Sequence, residues 1–332
     1  MGRYGSHLPQ VSDRVFLTDG GIETTMIYLE GMELPHFAAF TMLVDDTGVE
    51  HLRRYYGRYA ALARDNGLGF VFESPTWRAS RDWAELLGYG AAELATINRA
   101  SIRLMAELRS RYETESSPMV ISGCVGPRGD GYNPGRMMSA DAAEAYHAEQ
   151  IGAFAQTEAD MITAITMNYA EEAIGISRAA TKAGLPVAIS FTVETDGRLP
   201  TGQTLGSAIE MVDLATGHAP AYFMINCAHP THFDGVLAGQ ADWLCRLRGV
   251  RANASSCSHA ELDVAVALDD GDPVEFGRQY HALRRRIPHL TVLGGCCGTD
   301  HRHLEQICRW CVPSGAVPDA PTRSFATSGI PY

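Results

Sequence analysis

Leu290-Thr291-Val292-Leu293-Gly294-Gly295-Cys296-Cys297-Gly298 combines a short apolar run with a glycine-rich turn that carries two adjacent cysteines. An apolar run of this length is typical of a parallel strand that is covered on both faces. In a parallel barrel, the residues that directly follow the strands meet at one mouth. The run therefore favours a parallel α/β fold with its chemistry at the carboxyl ends of the strands.

The same order, a short apolar run and then an amphipathic segment, recurs along the chain. We predict strands at residues 15–18, 69–73, 119–124, 160–166, 186–192, 221–227, 250–254 and 290–294. We predict helices at residues 49–65, 91–111, 140–156, 171–183, 204–215, 233–238, 273–286 and 301–311. Eight such pairs predict an α/β fold, a single (β/α)8 barrel, with an open doubly wound sheet as the main competitor.

We expect one domain over residues 1–332, because no change in composition indicates a linker. Residues 312–332, rich in Pro, Ser and Thr, are predicted to form a C-terminal tail. A barrel routinely reaches this length as one domain.

Charge and composition exclude several classes of partner. The 332 residues carry 27 basic and 39 acidic side chains, a formal net charge of −12, which argues against a nucleic-acid ligand. No apolar run approaches the roughly 18 residues of a membrane span, and residues 1–12 lack an apolar signal core. We therefore expect a cytoplasmic protein whose eight cysteines are reduced.

Three of these cysteines form a candidate metal site. Cys296 and Cys297 follow the eighth predicted strand, and Cys227 follows the sixth. Three thiolates leave one tetrahedral position open, which distinguishes a catalytic zinc from a structural one. The alternative is that all three are small buried hydrophobic residues. Cys308 and Cys311 lie in a helical pattern, where packing is the expected role.

The motifs resemble those of the homocysteine S-methyltransferase family, which includes betaine–homocysteine methyltransferase and the homocysteine-binding module of cobalamin-dependent methionine synthase. The matching motifs are Asp19-Gly20-Gly21 with Glu23, Thr76-Trp77-Arg78-Ala79-Ser80, Asn226-Cys227 and Gly294-Gly295-Cys296-Cys297-Gly298. The resemblance implies a (β/α)8 barrel, one Zn²⁺ and methyl transfer to a thiol (class EC 2.1.1). It implies Cys227, Cys296 and Cys297 as catalytic metal ligands. The predicted substrate-binding residues are Asp19, Gly20, Gly21, Glu23, Glu73, Thr76, Thr166 and Asn226.

One position departs from the family pattern. After its fourth strand the family carries a glutamate that holds the amino group of homocysteine, and Ile165 stands there in this chain. A buried ammonium without a carboxylate partner is costly. Either another acid, Glu73 or Glu194, takes over that role, or the acceptor is not homocysteine.

The resemblance implies two small-molecule substrates, a thiol acceptor and an onium methyl donor. S-methylmethionine, S-adenosylmethionine and a betaine stay open as donors. Aromatic faces attract onium cations, and four aromatic side chains are candidates to line the mouth: Phe72, Trp77, Tyr132 and Tyr169. A cobalamin module would need further sequence beyond one barrel, so cobalamin is not expected on this chain. The oligomeric state stays open, a homo-oligomer included.

Three other functions are weighed against methyl transfer to homocysteine. The first is methyl transfer to a different thiol or a selenol. The second is a zinc hydrolase on the same barrel, which sulfur ligands disfavour because hydrolytic zinc usually takes His and carboxylate ligands. The third is a protein that binds zinc or thiols without turnover. His229, two residues after Cys227, is either a support for the metal ligands or a loop histidine bonded to backbone.

Overall fold

A computed structural model describes residues 2–263, 265 and 267–312 of the chain. Eight parallel strands pair in chain order, and β8 pairs with β1, so that the sheet closes. The strands are β1 (Phe16–Leu17), β2 (Gly69–Glu73), β3 (Met119–Val125), β4 (Met161–Met167), β5 (Val187–Phe191), β6 (Pro220–Asn226), β7 (Leu247–Ala252) and β8 (Val292–Gly295). The predicted (β/α)8 barrel is confirmed. Apart from Val312, the predicted tail of residues 312–332 lies outside the described residues.

Helices surround the sheet. They are α1 (Asp46–Asp65), α2 (Arg81–Leu86), α3 (Ala91–Tyr112), α4 (Ala140–Ala155), α5 (Ala170–Lys182), α6 (Leu205–Thr216), α7 (Pro230–Phe233), α8 (His259–Asp263), α9 (Pro273–Arg286) and α10 (His301–Cys311). A π-helical segment, Thr24–Leu29, and short 3-10 turns fill the connection from β1 to α1. None of the helices described here is both long and apolar enough to span a lipid bilayer.

Most strand boundaries follow the predicted apolar runs, and the largest differences have local causes. The helix predicted at 233–238 is replaced by two shorter segments, the helix α7 and a 3-10 turn, Val236–Ala238. The helix begins earlier than predicted because His229 is its N-cap and Pro230 is its first residue, a position that suits proline. Cys308 and Cys311 are buried on the inner side of α10, as the helical pattern predicted.

Tyr280 on α9 joins the last two strands from outside the barrel. Its hydroxyl accepts a hydrogen bond from the Ala252 amide at 2.8 Å and donates to the Gly294 carbonyl at 2.5 Å. The side chain is fully buried. These contacts fix the ends of β7 and β8 immediately before the turn that carries the adjacent cysteines.

Replacing Tyr280 with Phe should lower the free energy of unfolding by about 1–3 kcal/mol, because a buried amide and a buried carbonyl lose their shared partner. Urea unfolding followed by circular dichroism measures the loss. Tyr112→Phe, at a half-buried tyrosine, is the matched control and should change little. Equal stability of Tyr280→Phe and the parent would contradict the bridging role.

Candidate active site

Three cysteine sulfurs meet at the mouth of the barrel. Cys227 directly follows β6, and Cys296 and Cys297 directly follow β8. The three Sγ atoms lie within 4.8 Å of one another, and those of Cys227 and Cys297 are 3.7 Å apart. Sulfur ligands at about 2.3 Å from a tetrahedral metal lie roughly 3.8 Å from each other. The cluster therefore has the spacing that a metal ion requires.

Unusual backbone geometry brings the sulfurs together. Cys227 has φ = 54°, a left-handed conformation that costs a non-glycine residue on the order of 1–3 kcal/mol. Its carbonyl is bonded by His259 Nε2 at 2.6 Å. Gly298 has φ = 78° and ends the turn, while a Cβ on Gly294 would lie 1.8 Å from the Thr18 hydroxyl oxygen. The glycines are thus needed for the turn and for close packing against β1.

Hydrogen bonds among the thiols distribute the negative charge unequally. Contacts from Cys296 and then Cys297 hold the pKa of Cys227 well below its usual range. The same contact with Cys227 raises the pKa of Cys296 to about 12 and also raises that of Cys297 well above its usual range. The Tyr132 hydroxyl lies 3.3 Å from the Cys227 sulfur and 3.7 Å from that of Cys297. Three thiolates this close together repel one another, so a cation is needed to keep all three charged.

The sulfurs line a cavity of about 280 Å³. Most of the predicted substrate-binding residues also line it: Asp19, Gly20, Gly21, Glu23, Glu73 and Thr166. The other two, Thr76 and Asn226, do not line the cavity. Thr76 is fully buried and donates to the Cys124 carbonyl at 2.8 Å, while Asn226 accepts from the Thr166 amide at 2.9 Å. The structure gives Thr76 and Asn226 positioning contacts rather than cavity contacts.

Arg251 of β7 is a site residue that the sequence analysis missed. Its guanidinium reaches across the barrel to the Asp19 carboxylate at 2.6 Å, and both side chains are buried. Asp19 also accepts from the Tyr55 hydroxyl at 3.0 Å. One sign of this pair is present in the sequence, which is that Arg251 lies inside a strand-like run. A barrel strand rarely buries a charge without a partner, so an arginine at that position indicates a buried acid nearby.

Two further acids line the cavity close to this pair. Burial raises the pKa of Glu73 to about 7, against the attraction of Arg251. Burial likewise raises the pKa of Glu23 to about 7. One carboxylate oxygen of Glu73, Oε2, is buried without a hydrogen-bond partner among the described residues. Both acids are therefore held where a cationic ligand would stabilise their charged form.

The position that departs from the family pattern faces this cavity. Ile165 lines it and is 8% exposed. Glu194, one of the two proposed replacements, does not line the cavity but lies 3.4 Å from His259. Glu73, the other, does line it. Of the two acids named from the sequence, only Glu73 stands where a bound ligand would touch it.

Two of the four aromatic side chains proposed to line the mouth do so, and two do not. Trp77 and Tyr132 line the cavity, and Tyr132 stacks on His259 with ring centroids 3.9 Å apart. Phe72 is fully buried among aromatic rings, and the Tyr169 hydroxyl accepts from the Met138 amide. His229 caps α7 through its own Nδ1, which is the loop role that the sequence left open.

The family model described as homocysteine S-methyltransferase matches residues 16–311, nearly all of the described barrel. The chain belongs to the homocysteine S-methyltransferase family. It is accordingly a methyltransferase of class EC 2.1.1, and the resemblance drawn from its motifs is confirmed.

Two methionine synthases are among the proteins with a similar sequence. Methionine synthase of Mycobacterium tuberculosis (strain ATCC 25618 / H37Rv) is 27% identical over 177 residues, 48% of this chain and 13% of that protein. Methionine synthase of Mycobacterium leprae (strain TN) is 28% identical over 148 residues, 40% of this chain and 11% of that protein. The matches thus span a small part of these relatives' length.

Solved structures with the same fold include the homocysteine methyltransferase MmuM from Escherichia coli. Its metallated form has a TM-score of 0.67 at 16% identity, covering 90% of this chain and 96% of that one. Its oxidized form has a TM-score of 0.66 at 18% identity, covering 89% and 95%. At these identities the likeness concerns the fold.

Arg251→Met should lower the free energy of unfolding by about 3–5 kcal/mol, because it leaves the Asp19 carboxylate buried without its cation. Burial already raises the pKa of Asp19, and losing Arg251 raises it further. A raised folded-state pKa favours the protonated folded form, so the deficit should shrink as the pH falls from 8 to 5.

Urea unfolding of Arg251→Met at the two pH values measures this effect. Arg248→Met, on the same strand but partly exposed, is the control and should show a small deficit without pH dependence. A deficit for Arg251→Met that stays constant with pH would contradict the pairing with Asp19.

Proposed function

We propose that this chain is a zinc-dependent methyltransferase that moves a methyl group from a small onium donor to a thiol, with homocysteine as the acceptor and methionine as the product. Family membership supports homocysteine methyl transfer. The observation that carries the zinc requirement is the three-sulfur cluster in the cavity wall. Methyl transfer to another thiol or to a selenol stays the alternative.

The donor atoms suit zinc. Three thiolates are soft ligands that favour zinc over magnesium or calcium, and they leave a tetrahedral position for a substrate. Among the described residues the cluster consists of three sulfurs, and it borders the cavity. We propose Cys227, Cys296 and Cys297 as the ligands. A bound zinc would supply an acceptor thiolate at neutral pH, because it lowers the pKa of the coordinated thiol.

The protein contributes position and charge. The acceptor sulfur forms a bond to the methyl carbon while the bond from that carbon to the onium atom breaks, and the donor leaves as a neutral thioether or amine. Reaction requires these three atoms to lie in line. The acids Glu23 and Glu73 make the cavity attractive to cations, and Trp77 and Tyr132 add aromatic faces.

Glu73 is our candidate for the partner of the acceptor's amino group in place of Ile165. It lines the cavity, and its Oε2 atom has no donor among the described residues. An ammonium group would supply that donor and would stabilise the charged carboxylate. Glu23 lines the same cavity and is the second candidate.

Other parts of the proposal rest on the sequence. S-methylmethionine, S-adenosylmethionine and a betaine stay open as the donor. One barrel domain over residues 1–332 and a cytoplasmic location remain predictions. A hydrolase would release product without any thiol, and a binding protein would retain thiol in a zinc-dependent way without turnover.

Cys296→Ala should lose bound zinc and methyl transfer, because two thiolates rarely hold the ion. Losing a residue that only hydrogen-bonds to a metal ligand lowers metal affinity by roughly 10- to 100-fold, and losing a ligand itself should lower zinc affinity by more than that. Zinc per chain is measured by plasma emission spectroscopy, and the methylated thioether by mass spectrometry. Cys245→Ala, at an exposed cysteine, is the control. Full metal and turnover in Cys296→Ala would refute the ligand set.

Glu73→Gln should raise KM for homocysteine by about 10- to 100-fold, because an amide cannot replace a charge-assisted hydrogen bond to an ammonium. Initial rates against homocysteine and against 4-mercaptobutanoate, which lacks the amino group, measure the change. The second acceptor should be nearly insensitive to the substitution. Glu194→Gln is the comparison variant, and an effect confined to it would reject Glu73.

A further inference from the structure

Arg78 is a buried cation in the cavity wall whose hydrogen-bonding capacity is largely unused. It lies in the turn after β2, lines the cavity and is 8% exposed. Its Nε and Nη1 atoms are buried and have no hydrogen-bond partner among the residues that the structure describes. Burying an unpaired guanidinium is costly unless something supplies acceptors.

Two tryptophan rings fix the position of this guanidinium. Its central carbon lies 4.5 Å from the ring centroid of Trp77 and 3.7 Å from that of Trp83. Stacking of this kind leaves the edge of the planar fork available for hydrogen bonds. The side chain is therefore held in place before any ligand binds.

The protein groups near Arg78 do not saturate it. Asp130 is the carboxylate paired with it, at 3.9 Å, which is beyond hydrogen-bond distance. Asp130 is half exposed, and its Oδ1 atom accepts from the Tyr132 and Asn133 amides. The other arginine that lines the cavity, Arg251, also has one unpartnered nitrogen among the described residues, Nη1, but its other nitrogens bind the Asp19 carboxylate and the Gly295 carbonyl.

We propose that Arg78 binds a carboxylate of a substrate and thereby selects amino-acid-like substrates. The inference rests on the proposed methyl transfer and adds the group that the enzyme recognises. A carboxylate matches a guanidinium fork in shape and charge. The acids Asp19, Glu23 and Glu73 in the same wall repel a carboxylate. Arg251 is already paired with Asp19, so Arg78 is the cation that remains to orient and hold that carboxylate.

Homocysteine and an amino-acid sulfonium donor both carry a carboxylate, so the experiment has two arms. The acceptor arm compares homocysteine with 3-aminopropanethiol, which lacks only the carboxylate. The donor arm compares S-methylmethionine with (3-aminopropyl)dimethylsulfonium. Each pair is tested for kcat/KM with the zinc-loaded protein, and for binding by calorimetry, which needs no turnover.

The parent protein should prefer the carboxylate-bearing member of one pair by about 10- to 100-fold. In Arg78→Gln that preference should disappear, and KM should change more than kcat. Arg78→Lys keeps the charge and should retain part of the preference. Arg103→Gln, at an exposed arginine of α3, is the control and should behave like the parent.

The outcomes separate this inference from the proposed function. Absence of methyl transfer to every thiol would defeat the proposed function, while calorimetry would still test Arg78. Turnover or binding that is indifferent to the carboxylate in both arms would overturn the role of Arg78, and this comparison needs only the parent protein. A preference that survives in Arg78→Gln would overturn it as well. The arm that shows the coupling identifies which substrate carries the carboxylate.

Discussion

Parallel pairing of β8 with both β7 and β1 closes the barrel and assembles the site at the same time. The pairing continues beyond the strands, because the Gly295 amide donates to the Asp19 carbonyl at 2.9 Å and the Cys296 amide donates to that of Ala252 at 2.8 Å. These hydrogen bonds place the cysteine turn between the ends of β7 and β1. Without closure, residues near the two ends of the chain would have no reason to share one cavity.

Electrostatic balance is the second constraint on the cavity. Its wall holds the three clustered sulfurs and that of Cys124, three buried or half-buried acids, and two arginines. Arg251 offsets Asp19, and a divalent cation among the sulfurs would offset two of the three thiolate charges. Glu73 and Arg78, like Arg251 at its Nη1 atom, have buried hydrogen-bonding atoms without a partner in the part of the chain that the structure describes. A zwitterionic ligand would satisfy both kinds of group at once, which connects the cavity's charges with the substrates proposed for it.

Much of the fold could be read from local sequence signals. The bounds of α9 and α10 match the prediction because Asp272 with Pro273, and Asp300, mark where those helices begin. The seventh strand was placed late, at 250–254 instead of Leu247–Ala252, because arginines interrupt its apolar pattern. The short helix α2 was missed, since six residues carry too little periodicity to identify.

The sequence predicted the residues of the candidate site only where they lie close together in the chain and form a motif. The cysteines were found because glycines and a second cysteine accompany them in the chain. Arg251 was missed because its partner, Asp19, is 232 positions away, and a single arginine gives no indication of which acid it meets. Thr76 and Asn226 belong to recognisable motifs but do not line the cavity. A motif therefore identifies the region of the site without showing which of its residues contact a ligand.

The close packing of Gly294 against Thr18 has a consequence for how the substrate range of this barrel could be altered by laboratory selection. The β8–β1 side of the mouth has no spare volume at Gly294, where even a methyl group would overlap a neighbouring oxygen. On the other side, Trp77, Arg78 and Ile165 line the cavity with their side chains. Exchanging residues on the β2–β4 side is therefore the route to new specificities, while Gly294 has to stay a glycine.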